Sequence, residues 1–174
     1  KIKVNGRDGF YKGEIADLIV AQMKKGNGYI TLEDLENYNP VERKPVTGTY
    51  RGYDIVSMGP PSSGGIALIQ LLNILENIDL SNISWGSSKY YHYLIEAMRR
   101  VYADRATHLG DPDFYKVPID FLISKDYGRE RFETITDSAS KSSDISAGTV
   151  RILNESKETT HYSIYDKYGN AVSV

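Results

Sequence analysis

The chain has 174 residues, with 21 basic and 23 acidic side chains, a formal net charge of −2 and 40% hydrophobic residues. This composition is typical of one globular domain and excludes collagen, long disorder and coiled coil. A pI near 5.9 without a basic cluster argues against a nucleic-acid partner, and the lack of cysteine excludes disulfides, iron–sulfur clusters, thiolate metal sites and a cysteine nucleophile.

The first third of the chain predicts two helices and a pair of strands. Apolar residues recur at helical spacing over 13–25, and Gly26 ends this helix. Thr31, with Asp34 three residues later, predicts a capping box that starts a short helix over 32–37. The segment 46–58 is rich in β-formers around Arg51 and Gly52, which predicts two strands that meet at a tight turn or bulge.

Two longer helices follow in the sequence. After a Gly- and Pro-rich loop over 59–65, a helix is expected with Ser62 or Ser63 as its N-cap. Its apolar residues share one face: Ile66, Ile69, Leu72 and Leu75. A second helix is predicted from Ser87 to about Leu109.

This second helix has two contrasting faces. On one face Glu96, Arg100 and Asp104 stand at i, i+4 and i+8, which predicts ion pairs on the helix surface. The opposite face is apolar and is expected to be the packing face. It consists of Tyr91, Leu94, Ile95, Met98, Val101 and Tyr102.

The last third predicts a helix, an exposed loop and a hairpin. The helix is expected over 125–135, and the serine-rich segment 137–149 is expected to be an exposed loop or linker. From Thr159 the pattern is strand-like, with a turn at Gly169, so we predict a closing hairpin. Helices first and a hairpin last indicate an α+β fold.

Both ends of the sequence are expected to be excision points within a longer protein. The chain opens at Lys1 without a leader and closes on 171–174, which predicts a strand cut in mid-course. The most apolar stretch, 66–75, is interrupted by Gln70 and Asn73 and is shorter than the roughly 20 residues of a membrane helix. We therefore expect an internal segment without a membrane span.

A phosphate-binding loop and a metal site are both disfavoured. Gly59 to Gly64 fits G-x-x-x-x-G, but Gly65 and Ile66 stand where the phosphate loop needs Lys and Ser or Thr. A close strand-to-helix connection is the favoured interpretation of these glycines. His92 with Glu96 does not form the His-Glu-x-x-His motif. The turn over 111–113 lacks the other ligands of a calcium loop, so we predict no intrinsic metal.

The segment Glu158-Thr159-Thr160-His161 lies where a polar linker meets a strand. Adjacent threonines at the start of a strand are usually only β-formers. Three groups of residues in order along the chain, the last of which includes this segment, change this interpretation. They are Gly59–Ile66 running into Gln70–Leu75; Glu96–Arg100 with Ala103–Arg105 and Leu109–Asp113; and Thr159–Ser163 with Asp166 and Gly169–Val172.

In these motifs the chain resembles the γ-glutamyltranspeptidase family, and Gly28–Thr31 and Asp34–Tyr38 extend the similarity to nearly the whole chain. Members are made as an inactive precursor that cuts itself once and so exposes an N-terminal threonine. The resemblance implies that Thr159 is the catalytic nucleophile and that cleavage falls between Glu158 and Thr159.

The resemblance also implies an architecture and a reaction. The fold would be part of a four-layer αββα sandwich of the N-terminal-nucleophile hydrolases. Residues 1–158 would belong to the large subunit, with the linker at 137–149, and 159–174 would be the first hairpin of the small subunit. The enzyme would cleave the γ-glutamyl amide of glutathione through a threonyl ester and pass the acyl group to water or to an amino acid or peptide amine.

The resemblance implies no metal or organic cofactor, a heterodimer of the two subunits, and a periplasmic or extracellular location. The substrate-binding residues are expected outside this segment, so the fragment alone is expected to be inactive. Two alternatives stay open. One is an acylase for poly-γ-glutamate or β-lactam side-chain amides on the same scaffold. The other is a non-enzymatic α+β interaction domain in which Thr159 is only a strand residue.

Overall fold

The computed structural model describes residues 1–149, 163–165 and 171–173. The chain divides into two compact units, Lys1–Glu42 and Arg43–Val174. None of the described helices is long and apolar enough to cross a membrane.

The first unit consists of four helices around a small apolar core. Arg7 connects the start of this unit to its end, because its guanidinium donates hydrogen bonds of 2.6 Å to the carbonyl oxygens of Glu36 and Tyr38. The core side chains are Ala16, Val20 and Leu35. The helices are α1 (Ile2–Asn5), α2 (Asp8–Tyr11), α3 (Gly13–Lys25) and α4 (Leu32–Asn37).

The two helices predicted in this unit are confirmed. Helix α3 ends at Gly26, as its composition indicates. The capping box at the start of α4 forms in both directions: Thr31 Oγ1 accepts from the Asp34 backbone N–H at 3.1 Å, and the Asp34 carboxylate accepts from the Thr31 backbone N–H at 2.8 Å.

The second unit begins with a hairpin and continues with helices. Its described strands form two separate antiparallel pairs, β1 with β2 and β3 with β4. Short 3₁₀ turns occur at Leu80–Asn82 and Ser142–Asp144. The elements are β1 (Val46–Tyr50), β2 (Tyr53–Ser57), α5 (Gly64–Leu75), α6 (Ser88–His108), α7 (Ile119–Leu122), α8 (Lys125–Glu133), β3 (Ser163–Tyr165) and β4 (Ala171–Ser173).

The first hairpin confirms the predicted tight turn. Strand β1 pairs with β2 from Val46 opposite Ser57 to Tyr50 opposite Tyr53. The two turn residues, Arg51 and Gly52, both have positive φ, 49° and 85°, as a type I′ turn requires. Arg51 tolerates this conformation because its backbone N–H donates to Glu76 at 2.7 Å and its guanidinium donates to the Ile78 carbonyl at 2.9 Å.

Helix α5 lies at the centre of the second unit and packs against the first hairpin, α6 and α8. Ile66 and Ile69 are buried as predicted. The predicted serine N-cap does not form at Ser63, whose hydroxyl instead accepts from Arg105 Nε at 2.9 Å. Ser62 Oγ accepts from the Gly64 backbone N–H at 3.3 Å and takes over part of this role.

Gly65 allows α5 to approach the first hairpin closely, so we expect Gly65→Ala to lower the free energy of unfolding by about 1–3 kcal/mol. An added Cβ would lie 2.7 Å from Val46 Cγ2 and 3.0 Å from the Met58 carbonyl carbon. Gly64→Ala is the matched control, because a Cβ there meets nothing closer than Ser62 Oγ at 3.5 Å. Urea unfolding of the full-length protein checks this pair, and equal losses for the two variants would contradict the packing argument.

The predicted ion pair between Glu96 and Arg100 forms, at 2.7 Å, but the predicted exposure of the two faces of α6 is wrong. Glu96, Arg100 and Asp104 are buried, with exposures of 1%, 4% and 0%. Most of the predicted apolar face is open: Tyr91, Ile95, Met98 and Tyr102 are between 38% and 56% exposed, and only Val101 is buried. The charged face packs inward because neighbouring elements supply its partners.

The helix predicted over 125–135 is confirmed as α8, although it ends two residues earlier, at Glu133. The closing hairpin is confirmed in its described residues, with Ser163 opposite Ser173 and Tyr165 opposite Ala171. Its predicted turn around Gly169 lies outside the described residues. The α+β prediction is confirmed.

Candidate functional site

The predicted nucleophile Thr159 and its cleavage partner Glu158 lie outside the described residues. The structure does describe the chain on both sides of them. Upstream is the segment 137–149, and downstream is strand β3, which starts at Ser163. The described part of the candidate site therefore consists of these two flanking segments and of the side chains that bind them.

A buried glutamate on α6 is the first of these groups. One oxygen of Glu96 accepts from Arg99 at 2.6 Å, and the other accepts from Arg100 at 2.7 Å. The same two oxygens accept from Ser140, from its backbone N–H at 3.2 Å and from its hydroxyl at 2.7 Å. Glu96 thus joins its own helix to the serine-rich segment.

A buried aspartate two turns later on α6 is the second. Asp104 Oδ2 accepts from the Gln70 side-chain amide on α5 and lies 3.2 Å from Arg131 Nε on α8. Its Oδ1 accepts from the backbone N–H of Gly148 at 2.7 Å. One carboxylate therefore connects two neighbouring helices and the segment before the predicted cleavage site.

The segment 137–149 is irregular as predicted, but it is anchored rather than freely exposed. Besides the contacts to Glu96 and Asp104, Arg131 donates to the Ser146 carbonyl at 2.9 Å. The imidazole Nε2 of His108 donates to the Gly148 carbonyl at 2.8 Å. Arg99 donates to the Ser140 carbonyl at 2.8 Å. We call residues 137–149, which are held at Ser140, Ser146 and Gly148, the anchored segment.

Tyr127 on α8 packs against the end of the anchored segment. Its side chain is 1% exposed, and its hydroxyl has no hydrogen-bond partner among the described residues. Burial, with the Asp104 carboxylate as the next cause, raises the pKa of this phenol. A Cβ added at Gly148 would lie 2.9 Å from two ring carbons of Tyr127 and still closer to its hydroxyl. Glycine therefore allows the chain to pass here.

Acid should break the hydrogen bonds that the Glu96 carboxylate accepts from Arg99, Arg100 and Ser140. Burial alone would raise the pKa of Glu96, but hydrogen bonds from Ser140, Arg100 and Arg99 outweigh it and lower the pKa to about 2. The ordinary value is 4.5, so this carboxylate stabilises the fold fully above about pH 4.5, and the contribution is lost as the pH falls toward 2.

We expect this loss to be about 3 kcal/mol, from the size of the pKa shift. Urea unfolding of the full-length protein between pH 5 and pH 2 checks it against Glu96→Gln. The variant should be less stable at pH 5 and should lack this part of the acid dependence. Parallel pH profiles for the two proteins would show that Glu96 is not the titrating group.

The Gly- and Pro-rich loop has a structural role in these contacts. Gly65 lies against Val46 and Met58, and Ser63 is held by Arg105 of α6. The predicted close strand-to-helix connection is therefore what the structure shows. Asp113, in the turn over 111–113, accepts two hydrogen bonds from Arg43, of 3.0 and 2.6 Å.

The described residues contain no group of three or more His, Cys, Asp or Glu side chains that could hold a metal ion. His92, considered above as half of a metal motif, has its Nε2 2.7 Å from the Thr136 carbonyl oxygen. It therefore fixes the chain after α8.

Sequence reasoning missed the anchored segment and the charges beneath it. Gln70 and Asn73, on the buried face of α5, were the available indication. Two amides on a face that otherwise packs apolar residues require polar partners, and the polar side chains of Glu96, Arg100 and Asp104 on α6 are candidates. Gln70 does pair with Asp104, whereas Asn73 donates to the Ile123 carbonyl at 2.7 Å.

Comparison with solved structures defines the class of protein. The structural neighbours are N-terminal-nucleophile hydrolases. The crystal structure of the Helicobacter pylori gamma-glutamyltranspeptidase matches with a TM-score of 0.80 and 52% identity, over 89% of this chain and 45% of that one.

The sequence identifies the family. The model of the gamma-glutamyltranspeptidase family matches residues 1–174, and the chain belongs to this family. A glutathione hydrolase proenzyme of Escherichia coli K12 is 49% identical over 99% of this chain. An Acylase ACY 1 proenzyme of a Pseudomonas species, strain SE83, is 40% identical over the same share. The chain spans 30% of the length of each of these two relatives.

Proposed function

We propose that the full-length protein is a precursor that cuts itself between Glu158 and Thr159 and then uses Thr159 to cleave γ-glutamyl amides such as glutathione. The observation that carries the proposal is the family match over all 174 residues. The names of similar proteins support it, since the Escherichia coli relative is a glutathione hydrolase proenzyme.

The self-cleavage step follows from the chemistry of threonine. The Thr159 hydroxyl attacks the Glu158 carbonyl carbon, the peptide C–N bond breaks, and the nitrogen gains the proton that the hydroxyl loses. The product is an ester between Glu158 and the Thr159 side chain. Water hydrolyses this ester and leaves a Glu158 carboxylate and a free Thr159 with its hydroxyl restored. The scheme needs no metal or organic cofactor.

Cleavage converts an inert side chain into an activated nucleophile. The new α-amine has a reference pKa of about 8, so about a tenth of it is neutral at pH 7 and about half at pH 8. The neutral amine acts as a general base for the hydroxyl of the same residue. Attack on a γ-glutamyl amide then gives a threonyl ester and releases the amine, and water or an acceptor amine resolves the ester.

Intact-mass measurement of the full-length protein over hours after folding tests the proposal. We expect two fragments, with a new amino terminus that begins Thr159-Thr160-His161. The fragments are expected to co-elute as a heterodimer, and fractionation of the producing cells is expected to place them outside the cytoplasm. A folded precursor that stays whole would overturn self-cleavage and favour a non-enzymatic interaction domain.

A second candidate is an acylase for β-lactam side-chain amides or for poly-γ-glutamate. The similarity to the Acylase ACY 1 proenzyme supports an acylase, and the two candidate amides come from the family resemblance alone. Both candidates share the cleavage and the nucleophile, so only substrate assays separate them. Turnover of glutathione well above that of a β-lactam side-chain amide or poly-γ-glutamate supports the first candidate, and the reverse supports the second.

A further inference from the structure

We propose that a polar cavity between α6, α8 and the anchored segment binds a small anion through a phosphate or carboxylate group. The cavity has a volume of about 470 Å³, which is within the range of small-molecule sites. Among the residues that line it, only Ala139 and Ile145 have apolar side chains. The proposed function neither requires nor predicts this site, so the two stand independently.

Arg131 on α8 supplies free hydrogen-bond donors to the cavity that it lines. Its Nη2 donates to the carbonyl oxygens of Arg100 and Ser146, at 3.2 and 2.9 Å, and its Nε lies 3.2 Å from the Asp104 carboxylate. A guanidinium has five N–H donors, so the two on Nη1 have no acceptor among the described residues. Of the Arg131 nitrogens only Nε is fully buried without a hydrogen bond, so Nη1 reaches open space.

The carboxylates that neutralise the guanidiniums lie behind them. Glu96 pairs with Arg99 and Arg100, at 2.6 and 2.7 Å, and Asp104 lies 3.2 Å from Arg131. Glu96 is 1% exposed and Asp104 is 0% exposed, so their oxygens are closed to a ligand. Three guanidiniums against two carboxylates leave one positive charge in excess. This part of the wall therefore presents donors and lacks the acceptors that a cation needs.

Two exposed side chains of opposite charge also line the cavity, Lys141 and Asp144. Neither takes part in an ion pair among the described residues. The hydroxyl groups of Ser138 and Ser146, which line the same space, add neutral donors. An anion in the cavity gains from the Lys141 ammonium, whereas the Asp144 carboxylate opposes it.

A phosphate or carboxylate group matches these donors. Each offers at least two acceptor oxygens to the planar N–H donors of an arginine, here Arg131 Nη1. The Lys141 ammonium adds a point charge that either group accepts. A neutral ligand would leave the excess positive charge without compensation.

Calorimetric titration of the full-length protein with inorganic phosphate, and separately with acetate, tests the site at constant ionic strength. We expect wild type to bind at least one of the two, and the pair of titrations shows which group is preferred. Lys141→Ala should weaken binding by about fivefold, the effect of one unit charge about 4 Å away in water. Lys116→Ala is the matched control, because Lys116 is exposed and does not line the cavity. It should bind as wild type does.

Asp144→Asn should act in the opposite direction and tighten binding, by up to about fivefold. Asparagine keeps a side-chain oxygen for the hydrogen bond that Asp144 accepts from the Ser143 hydroxyl at 2.8 Å, so the change is mainly one of charge. The melting temperature of each variant with and without anion is the second readout, because a ligand of the folded state stabilises it even where the heat of binding is small.

Two results would overturn the anion site. One is wild type that shows neither heat of binding nor a higher melting temperature with either anion. The other is equal binding by wild type, Lys141→Ala and Asp144→Asn, which would place the anion elsewhere on the protein. Neither result bears on self-cleavage, which the intact-mass experiment tests separately.

Discussion

Replacing Thr159 by alanine is expected to leave the full-length protein as one uncut chain without activity. Alanine has no hydroxyl to attack the Glu158 carbonyl, so neither the ester nor the new amino terminus can form. Loss of a nucleophile that acts together with its base costs on the order of 10⁴-fold or more in rate. Intact mass measures self-cleavage, and release of glutamate from glutathione measures activity. In Thr159→Ala both should disappear together.

The adjacent threonine provides the matched control. Thr160→Ala should still cut before residue 159, because in the proposed mechanism the attacking hydroxyl and its amine both belong to Thr159. Thr159→Ser keeps a hydroxyl at the same position and should retain cleavage at a reduced rate. If Thr159→Ala is cut like wild type, or if Thr160→Ala alone blocks cutting, the nucleophile has been assigned wrongly.

Where a few neighbouring residues decide the conformation, the sequence was a reliable guide. The capping box of Thr31 and Asp34 needs only residues three apart, and it forms as predicted. The turn at Arg51 and Gly52 follows from β-formers on both sides of a glycine. The start of α6 after Ser87 is equally local, since the Ser87 hydroxyl accepts from the Tyr90 N–H at 3.2 Å.

The orientation of α6 could not be predicted in this way. Ion pairs at i and i+4 are usually exposed, and the helix has an apolar face that would ordinarily be packed inward. Glu96 and Asp104 turn inward because their partners come from distant parts of the chain. Asp104 accepts from Gln70, 34 residues before it, and Glu96 accepts from Ser140, 44 residues after it. The open apolar face, with Tyr91 and Met98, is typical of a surface that contacts another part of a protein.

The anchored segment was predicted as an exposed linker for a related reason. Its composition, with five serines over 137–149, is that of a chain that buries little apolar surface. Its anchors are backbone N–H and carbonyl groups at Ser140, Ser146 and Gly148, which every sequence possesses. The family resemblance, by contrast, depends on the order of whole motifs, and it identified the family correctly.

Asp104→Ala is expected to be the most destabilising substitution among the charged residues, with a loss of about 3–5 kcal/mol in the free energy of unfolding. Asp104 is 0% exposed and lies opposite Arg131, which is 7% exposed. Removing the carboxylate leaves the buried charge of the Arg131 guanidinium without its ion-pair partner. It also leaves the Gln70 amide and the Gly148 N–H, which donate to that carboxylate, without an acceptor. Desolvated donors without acceptors add to the cost.

Asp126→Ala on α8 removes the same side chain from an exposed pair. The Asp126 side chain is 87% exposed and lies 2.6 Å from Arg129, and such surface pairs contribute at most about 1 kcal/mol. Urea unfolding of both variants in the full-length protein, at neutral pH, compares a buried and an exposed carboxylate directly. If the two losses are equal, Asp104 does not hold α5, α8 and the anchored segment together.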